Sequence, residues 1–261
     1  MKNDSIIKNV VKELSKNKQF EAIGISGSIA GNETDEFSDI DLIIYYSGNL
    51  PQYSFRKKFY NRLKAKQLYP DINFDFVVCD GIRIGTKRTE IVYQNIERSY
   101  EYIENLCKDF MSDEYFPGGI QQTIAVYDPN RIIKLFKSKT ACYPAIRSRK
   151  RSRKMLKGLV HSLKTMEWLD QAVERNDFIQ FMRKENEYIQ QVIEFLYAFN
   201  AEWYCDDKRL MENMIKKKLE PLKVVKKIEQ YVCRRNQISL RMRKNSIYDI
   251  VNLCEIAIEK K

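Results

Sequence analysis

Two kinds of apolar patterning divide the chain. In the first half, short apolar runs stand between turn residues; in the second, apolar positions recur at helical spacing. Ile6, Ile7, Val10, Val11 and Leu14 predict an amphipathic helix over 4–17. Ala22-Ile23-Gly24-Ile25 and Leu42-Ile43-Ile44-Tyr45-Tyr46 mark buried strands over 20–26 and 39–46, and Asn73 to Cys79 reads as a third. Between them, Phe55, Phe59 and Leu63 predict a basic helix over 54–67, broken at Tyr69-Pro70-Asp71. Ile82-Arg83-Ile84 reads as a short edge strand. Residues 88–108 fit one or two helices or another strand. The Pro-Gly content of 112–119 predicts a loop, and 120–127 a last strand, ended by Asp128-Pro129-Asn130. The remainder predicts helices near 148–174, 178–200, 207–218, 221–235 and 245–259. The stripe Phe178, Phe181, Tyr188, Val192, Phe195, Phe199 reads as core packing.

Polar residues placed against this frame carry the chemistry. Asp39 and Asp41 open the second strand two residues apart, and the strand period of two points both carboxylates to one side. Carboxylates held that close repel unless a cation lies between them, and hard oxygen ligands with substrate phosphates suit Mg²⁺. Gly27-Ser28 sits where the first strand ends. Glycine allows close backbone approach to a phosphate, and the serine hydroxyl and following amides can donate to it. Asp75, a lone acid in the third strand, joins the cluster if that strand pairs beside Asp39. Ser-Asp-x-Asp alone is often only a polar strand start. Three acids beside a Gly-Ser turn suit metal-assisted attack on a nucleotide phosphate.

Gly27-Ser28, the eleven-residue step to Asp39, Asp39-Ile40-Asp41-Leu42 and the later Asp75 resemble the nucleotidyltransferase superfamily typified by DNA polymerase beta, and within it the bacterial aminoglycoside and lincosamide nucleotidyltransferases and their uncharacterised relatives. The motif covers about a fifth of the chain. Where the family carries a glycine four residues after the motif serine, this chain has Asn32, preceded by Gly31; Asn tolerates left-handed angles. Phe199 to Arg209 is similar to a segment of the family's helical domains. The resemblance implies an α+β catalytic domain, a mixed sheet with flanking helices, over 1–140 and an all-α helical-bundle substrate domain over 141–261. It also implies adenylyl transfer from ATP, with Mg²⁺, to a hydroxyl of an antibiotic-like small molecule. In that scheme Asp39, Asp41 and Asp75 hold metal, Gly27, Ser28 and Lys157 hold the triphosphate, and Asp75, Glu114 or Glu185 takes the acceptor proton.

Charge keeps other acceptors open. Residues 1–120 carry 16 Lys and Arg against 18 Asp and Glu, whereas 121–261 carry 30 against 17. Arg147, Arg149, Lys150, Arg151, Arg153, Lys154 and Lys157 place seven cations in eleven positions. They read as a solvated face, a triphosphate contact or an RNA patch; no aromatics interleave for base stacking. A polycationic aminoglycoside matches a basic half poorly unless its cleft face is acidic. The alternative is a toxin–antitoxin or defence enzyme modifying tRNA or a protein, and a third is a non-catalytic module of the same fold. Six scattered cysteines argue against zinc and for reduced thiols in a cytoplasm. The single histidine, His161, reads as a surface or supporting residue. No apolar run reaches membrane-spanning length, the start lacks a signal-peptide core, and a monomer or homodimer is expected.

Overall fold

The computed structural model describes residues 3–31, 34–35, 38–74, 77–205 and 209–260. The chain divides into two compact units, one of Met1–Leu106 with Phe116–Cys142, the other of Cys107–Tyr115 with Tyr143–Lys261.

The first unit is built on a six-stranded mixed sheet. Its strands are β1 (Phe20–Ser26), β2 (Ile40–Tyr46), β3 (Lys66–Phe74), β4 (Val77–Ile84), β5 (Lys87–Asn95) and β6 (Ile124–Tyr127), in the order β3-β4-β5-β2-β1-β6. β2 and β5 run parallel; the other pairs are antiparallel. Ile40, Leu42, Ile44 and Tyr46 of β2 alternate onto one face. There they join a core with Ile6, Ile7, Val10 and Leu14 of α1 (Asn3–Leu14) and Phe59 and Tyr60 of α3 (Tyr53–Arg62); the single turn α2 (Gly27–Ala30) follows β1. Asp80 of β4 points into this core and is satisfied there. It accepts from Arg56 Nε at 2.8 Å, Tyr60 Oη at 2.6 Å and the Asp71 amide at 2.9 Å. On the opposite face, Tyr45 meets Phe136 of α6 (Ile132–Thr140) edge-on at 5.4 Å.

Several sequence expectations need correction. The helix expected over 54–67 stops at Arg62, where the chain reverses through Lys64 at φ 53°. The 66–84 region then forms a hairpin, β3 with β4, rather than a single strand over 73–79. Tyr69-Pro70-Asp71 lies inside β3. Pro70 is tolerated because β3 is a sheet edge and the pairing shifts between Tyr69 and Ile72. Ile82–Ile84 is part of an interior strand, not an edge. Residues 88–108 contain β5 and α4 (Ile96–Asn105), capped by Asn95 Oδ1 accepting from the Arg98 amide. The loop and strand expected over 112–127 contain α5 (Tyr115–Gln122) and only a short β6. Pro117 sits in the first turn, where it is harmless, and Phe116 and Ile120 are buried.

The second unit is helical: α7 (Ala145–Thr165), α8 (Trp168–Glu174), α9 (Phe178–Phe199), α10 (Leu210–Lys216), α11 (Leu222–Arg234) and α12 (Leu240–Glu259). The α9 stripe packs Phe181, Tyr188, Val192 and Phe195 against Leu156, Leu159 and Leu163 of α7 and Ile247 and Val251 of α12. α7 and α8 part at Glu167, at φ 52°, where one long helix was expected. Asp177 and Ser239 cap α9 and α12. The segment Cys107–Tyr115 is tied into this unit through Glu114. Its carboxylate accepts from Tyr143 Oη and from Arg147 Nε at 3.0 Å and forms an ion pair with Arg151, whose Nε lies 3.2 Å away.

Candidate functional site

β1 ends at Ser26, whose register partner on β2 is Asp41. The next residue, Gly27, has φ +61°, the left-handed region that L side chains avoid. A Cβ built on it would lie 2.0 Å from Asp41 Oδ2 and 2.9 Å from Asp41 Cγ. Glycine is therefore required twice, for the turn and for the carboxylate resting on its backbone. The chain then makes the single turn α2, with the Gly31 amide donating to Gly27 O at 3.1 Å, and places Ser28 half-buried beside it.

On the other side of β2, parallel β5 pairs Ile40 with Thr89 and Asp41 with Glu90. Paired residues of adjacent strands share a face. Glu90 thus lies beside Asp41, and Arg88 beside Asp39. Arg88 Nε approaches Asp39 Oδ2 at 3.7 Å, and its Nη2 donates to Glu90 Oε1 and, at 3.1 Å, to Tyr69 Oη. Tyr69 reaches in from β3 across Gly81, where a Cβ would stand 2.3 Å from its ring, and donates to Glu90 Oε1. Asp39 and Glu90 are about one-quarter exposed and Arg88 about one-half, so this end of the sheet face stays open to solvent.

Burial first, and the gathered negative charge after it, raise two nearby groups. Burial, then the hydrogen bond to Glu90, pushes the Tyr69 phenol up to about 12. Burial pushes the Cys79 thiol up to about 11, with Glu90, Asp80 and Asp41 adding to it. Asp39 and Asp41 are hard oxygen donors, Asp41 closing the space where a Gly27 Cβ would stand, and the Arg88 guanidinium beside Asp39 and Glu90 supplies counter-charge. This set fits Mg²⁺. Among the described residues, no group of three or more His, Cys, Asp or Glu could hold a metal ion.

Asp41 thus rests on Gly27, next to Ser28, and Asp39 lies against Arg88. Asp75 and Asn32 lie outside the described residues. Glu114, Glu185 and Lys157 belong to the helical unit. Glu114 is 2% exposed and held by the Tyr143, Arg147 and Arg151 contacts already described. Glu185 is fully buried, accepting from Arg243 Nε at 2.7 Å, from Arg243 Nη2 and from Tyr231 Oη. Lys157 is exposed on α7. Sequence reading passed over Arg88 and Glu90. The alternation of buried Thr89, Ile91 and Tyr93 in β5 was the available signal. Set in phase with β2, it turns Arg88 and Glu90 to the Asp39 and Asp41 side.

Residues 8–97 match the family described as Polymerase beta, Nucleotidyltransferase. The matched span holds Gly27, Ser28, Asp39, Asp41 and Glu90, and it supports a nucleotidyltransferase domain in the first unit. A solved nucleotidyltransferase-like protein from Exiguobacterium sibiricum 255-15 is similar at a TM-score of 0.49 and 10% identity, over 99% of this chain and 75% of that one. The Escherichia coli MS115-1 CdnC:HORMA-deltaN complex aligns at a TM-score of 0.26 and 13% identity, over 81% and 68%. Likeness at these levels says nothing of substrate or partner. No curated protein matches the chain. Among the described residues, no helix is long and apolar enough to cross a membrane.

Proposed function

We propose that the chain is a Mg²⁺-dependent nucleotidyltransferase. It moves a nucleoside monophosphate, adenylate from ATP foremost, to a hydroxyl of a small acceptor and releases pyrophosphate. The observation that supports this most is the seating of the Asp41 carboxylate on Gly27, with Glu90 in register beside it. The Gly27 backbone and Ser28 hydroxyl take phosphate oxygens, while Asp39 and Asp41 would hold Mg²⁺ with Glu90 beside them. Bound there, the metal supplies charge neutralisation for the phosphates. Arg88 balances Asp39 and Glu90 and, being half exposed, is free to turn toward a phosphate. Asp75 is assigned the acceptor proton, since Glu114 and Glu185 are enclosed in ion pairs.

Aminoglycosides and lincosamides are the first acceptors to test. A tRNA or protein acceptor is the second reading, favoured by the exposed cations Arg149, Arg153 and Lys157 on α7. The test is pyrophosphate release with Mg²⁺ and each of the four nucleoside triphosphates, against both antibiotic types and bulk tRNA, beside Asp41→Ala. Release with one acceptor that disappears in the variant supports the proposal and names the acceptor. Release that persists in Asp41→Ala contradicts it.

A further inference from the structure

Of the seven cations of 147–157, Lys150 and Lys154 lie over the Phe110 ring, 5.4 and 5.8 Å from its centroid, and the other five separate into two groups. Arg147 and Arg151 turn inward to Glu114. Arg149, Arg153 and Lys157 are exposed and make no ion pair among the described residues. They stand four residues apart and His161 continues the row, a ridge that repeats about every 6 Å along the helix. This ridge borders two hollows of about 450 and 540 Å³ between α7 and α12. Arg153 and Ile258 line both hollows, so the two adjoin along α7 as one grooved surface.

The rest of the lining limits what the groove can read. Ile146, Leu156, Val160 and Ile258 supply aliphatic surface, and Tyr143, Ala145 and Ala201 line the first hollow with them. Its two serine hydroxyls are spent on backbone carbonyls, Ser148 on Ala198 and Ser152 on Ser148. Of its two carboxylates, Glu255 is paired with Lys164 at 2.7 Å, and Glu259 stands at the exposed last residue of α12. Evenly spaced cations recognise repeated negative charge. A groove between two packed helices is also too narrow for a duplex, since their axes lie only about 8–10 Å apart.

The geometry points to the α7–α12 groove as a docking site for single-stranded nucleic acid, its phosphates lying along Arg149, Arg153 and Lys157 without regard to sequence. This site is additional to the nucleotide site and does not depend on the reaction proposed there.

Fluorescence anisotropy of a labelled oligouridine with the full chain, titrated at several salt concentrations, tests it. The logarithm of the affinity falls linearly with log salt, with a slope of roughly 0.7 for each phosphate neutralised. Arg149→Gln with Arg153→Gln lowers that slope by about 1.4, and Lys157→Gln alone by about 0.7. Thermal melts confirm that the variants fold. Lys223→Gln with Lys226→Gln, an equal charge change at exposed sites on α11, keeps the wild-type slope. Asp41→Asn also binds as wild type, which separates this site from the nucleotide site. The inference fails if wild type does not bind, if the α11 pair loses as much as the groove pair, or if poly-glutamate displaces the strand at equal charge concentration.

Discussion

Gly27→Ala isolates the contact on which the site is built. Three glycines share the left-handed conformation: Gly27 at φ +61°, Gly48 at +68° and Gly85 at +60°. A Cβ on Gly48 or Gly85 meets nothing within 4 Å, whereas on Gly27 it meets Asp41 Oδ2 at 2.0 Å. Gly48→Ala and Gly85→Ala therefore carry only the backbone cost, about 1–2 kcal/mol each. Gly27→Ala carries that cost and an overpacking cost of about 1–3 kcal/mol. The carboxylate has to retreat by roughly 1 Å or more to reach ordinary contact, a displacement that costs catalysis on the order of a hundredfold. Urea denaturation of the three variants measures the stability difference, and calorimetric titration with Mg²⁺ and triphosphate measures the site. Gly27→Ala loses at least about tenfold in affinity, some 1.4 kcal/mol, while the other two bind as wild type. Equal stability loss in all three, with unchanged triphosphate affinity, refutes the seating of Asp41 on Gly27.

Three further outcomes follow from the same contacts. Arg88→Met removes the counter-charge of Asp39 and Glu90. For so exposed a pair the stability loss is about 0.2–1 kcal/mol without metal, and Mg²⁺ raises the melting temperature more in the variant than in wild type; equal Mg²⁺ effects would sink the idea. Glu185→Ala leaves the Arg243 guanidinium buried without its carboxylate and costs about 3–5 kcal/mol in chemical denaturation; a loss below about 1 kcal/mol would show that the pair does not hold the helical unit together. The Cys79 thiol is raised above its usual value near 9 to about 11, so its neutral form is favoured in the folded state. Stability is fully present below pH 9 and declines between pH 9 and 11, as the unfolded thiol ionises first; Cys79→Ala flattens that decline in pH-dependent melts, and an unchanged slope would refute the assignment.

The sequence showed the central strands more clearly than their neighbours. β1 and β2 fall within a residue of the spans expected from their apolar runs, because both are interior and their flanking residues are turn formers. The mixed sheet and the helical second half follow the expected fold class. The β3–β4 hairpin was hidden because Tyr69-Pro70-Asp71 is locally a break, and only its edge position and shifted pairing admit it to a strand. α5 was hidden because burial of Phe116 and Ile120 outweighs the local preference of Pro117-Gly118-Gly119. The position of Asp41 on the face away from Ile40 and Leu42 follows from a period of two alone. Glu90 could not be placed, because its position depends on the parallel register of β5, which is a tertiary fact. Likewise, α7 spacing alone could not separate Arg147 and Arg151, which face Glu114, from Arg149 and Arg153, which face the groove.

The most direct test of the nucleotide site is a calorimetric titration of each nucleoside triphosphate, with and without Mg²⁺, into wild type and Asp41→Asn. The site described here binds at least one triphosphate in Mg²⁺, weakly without it, and loses that binding in Asp41→Asn while the variant melts as a folded protein. Failure of all four triphosphates to bind wild type in Mg²⁺, or equal binding by Asp41→Asn, would contradict the assignment of the Gly27–Asp41 recess to nucleotide and metal.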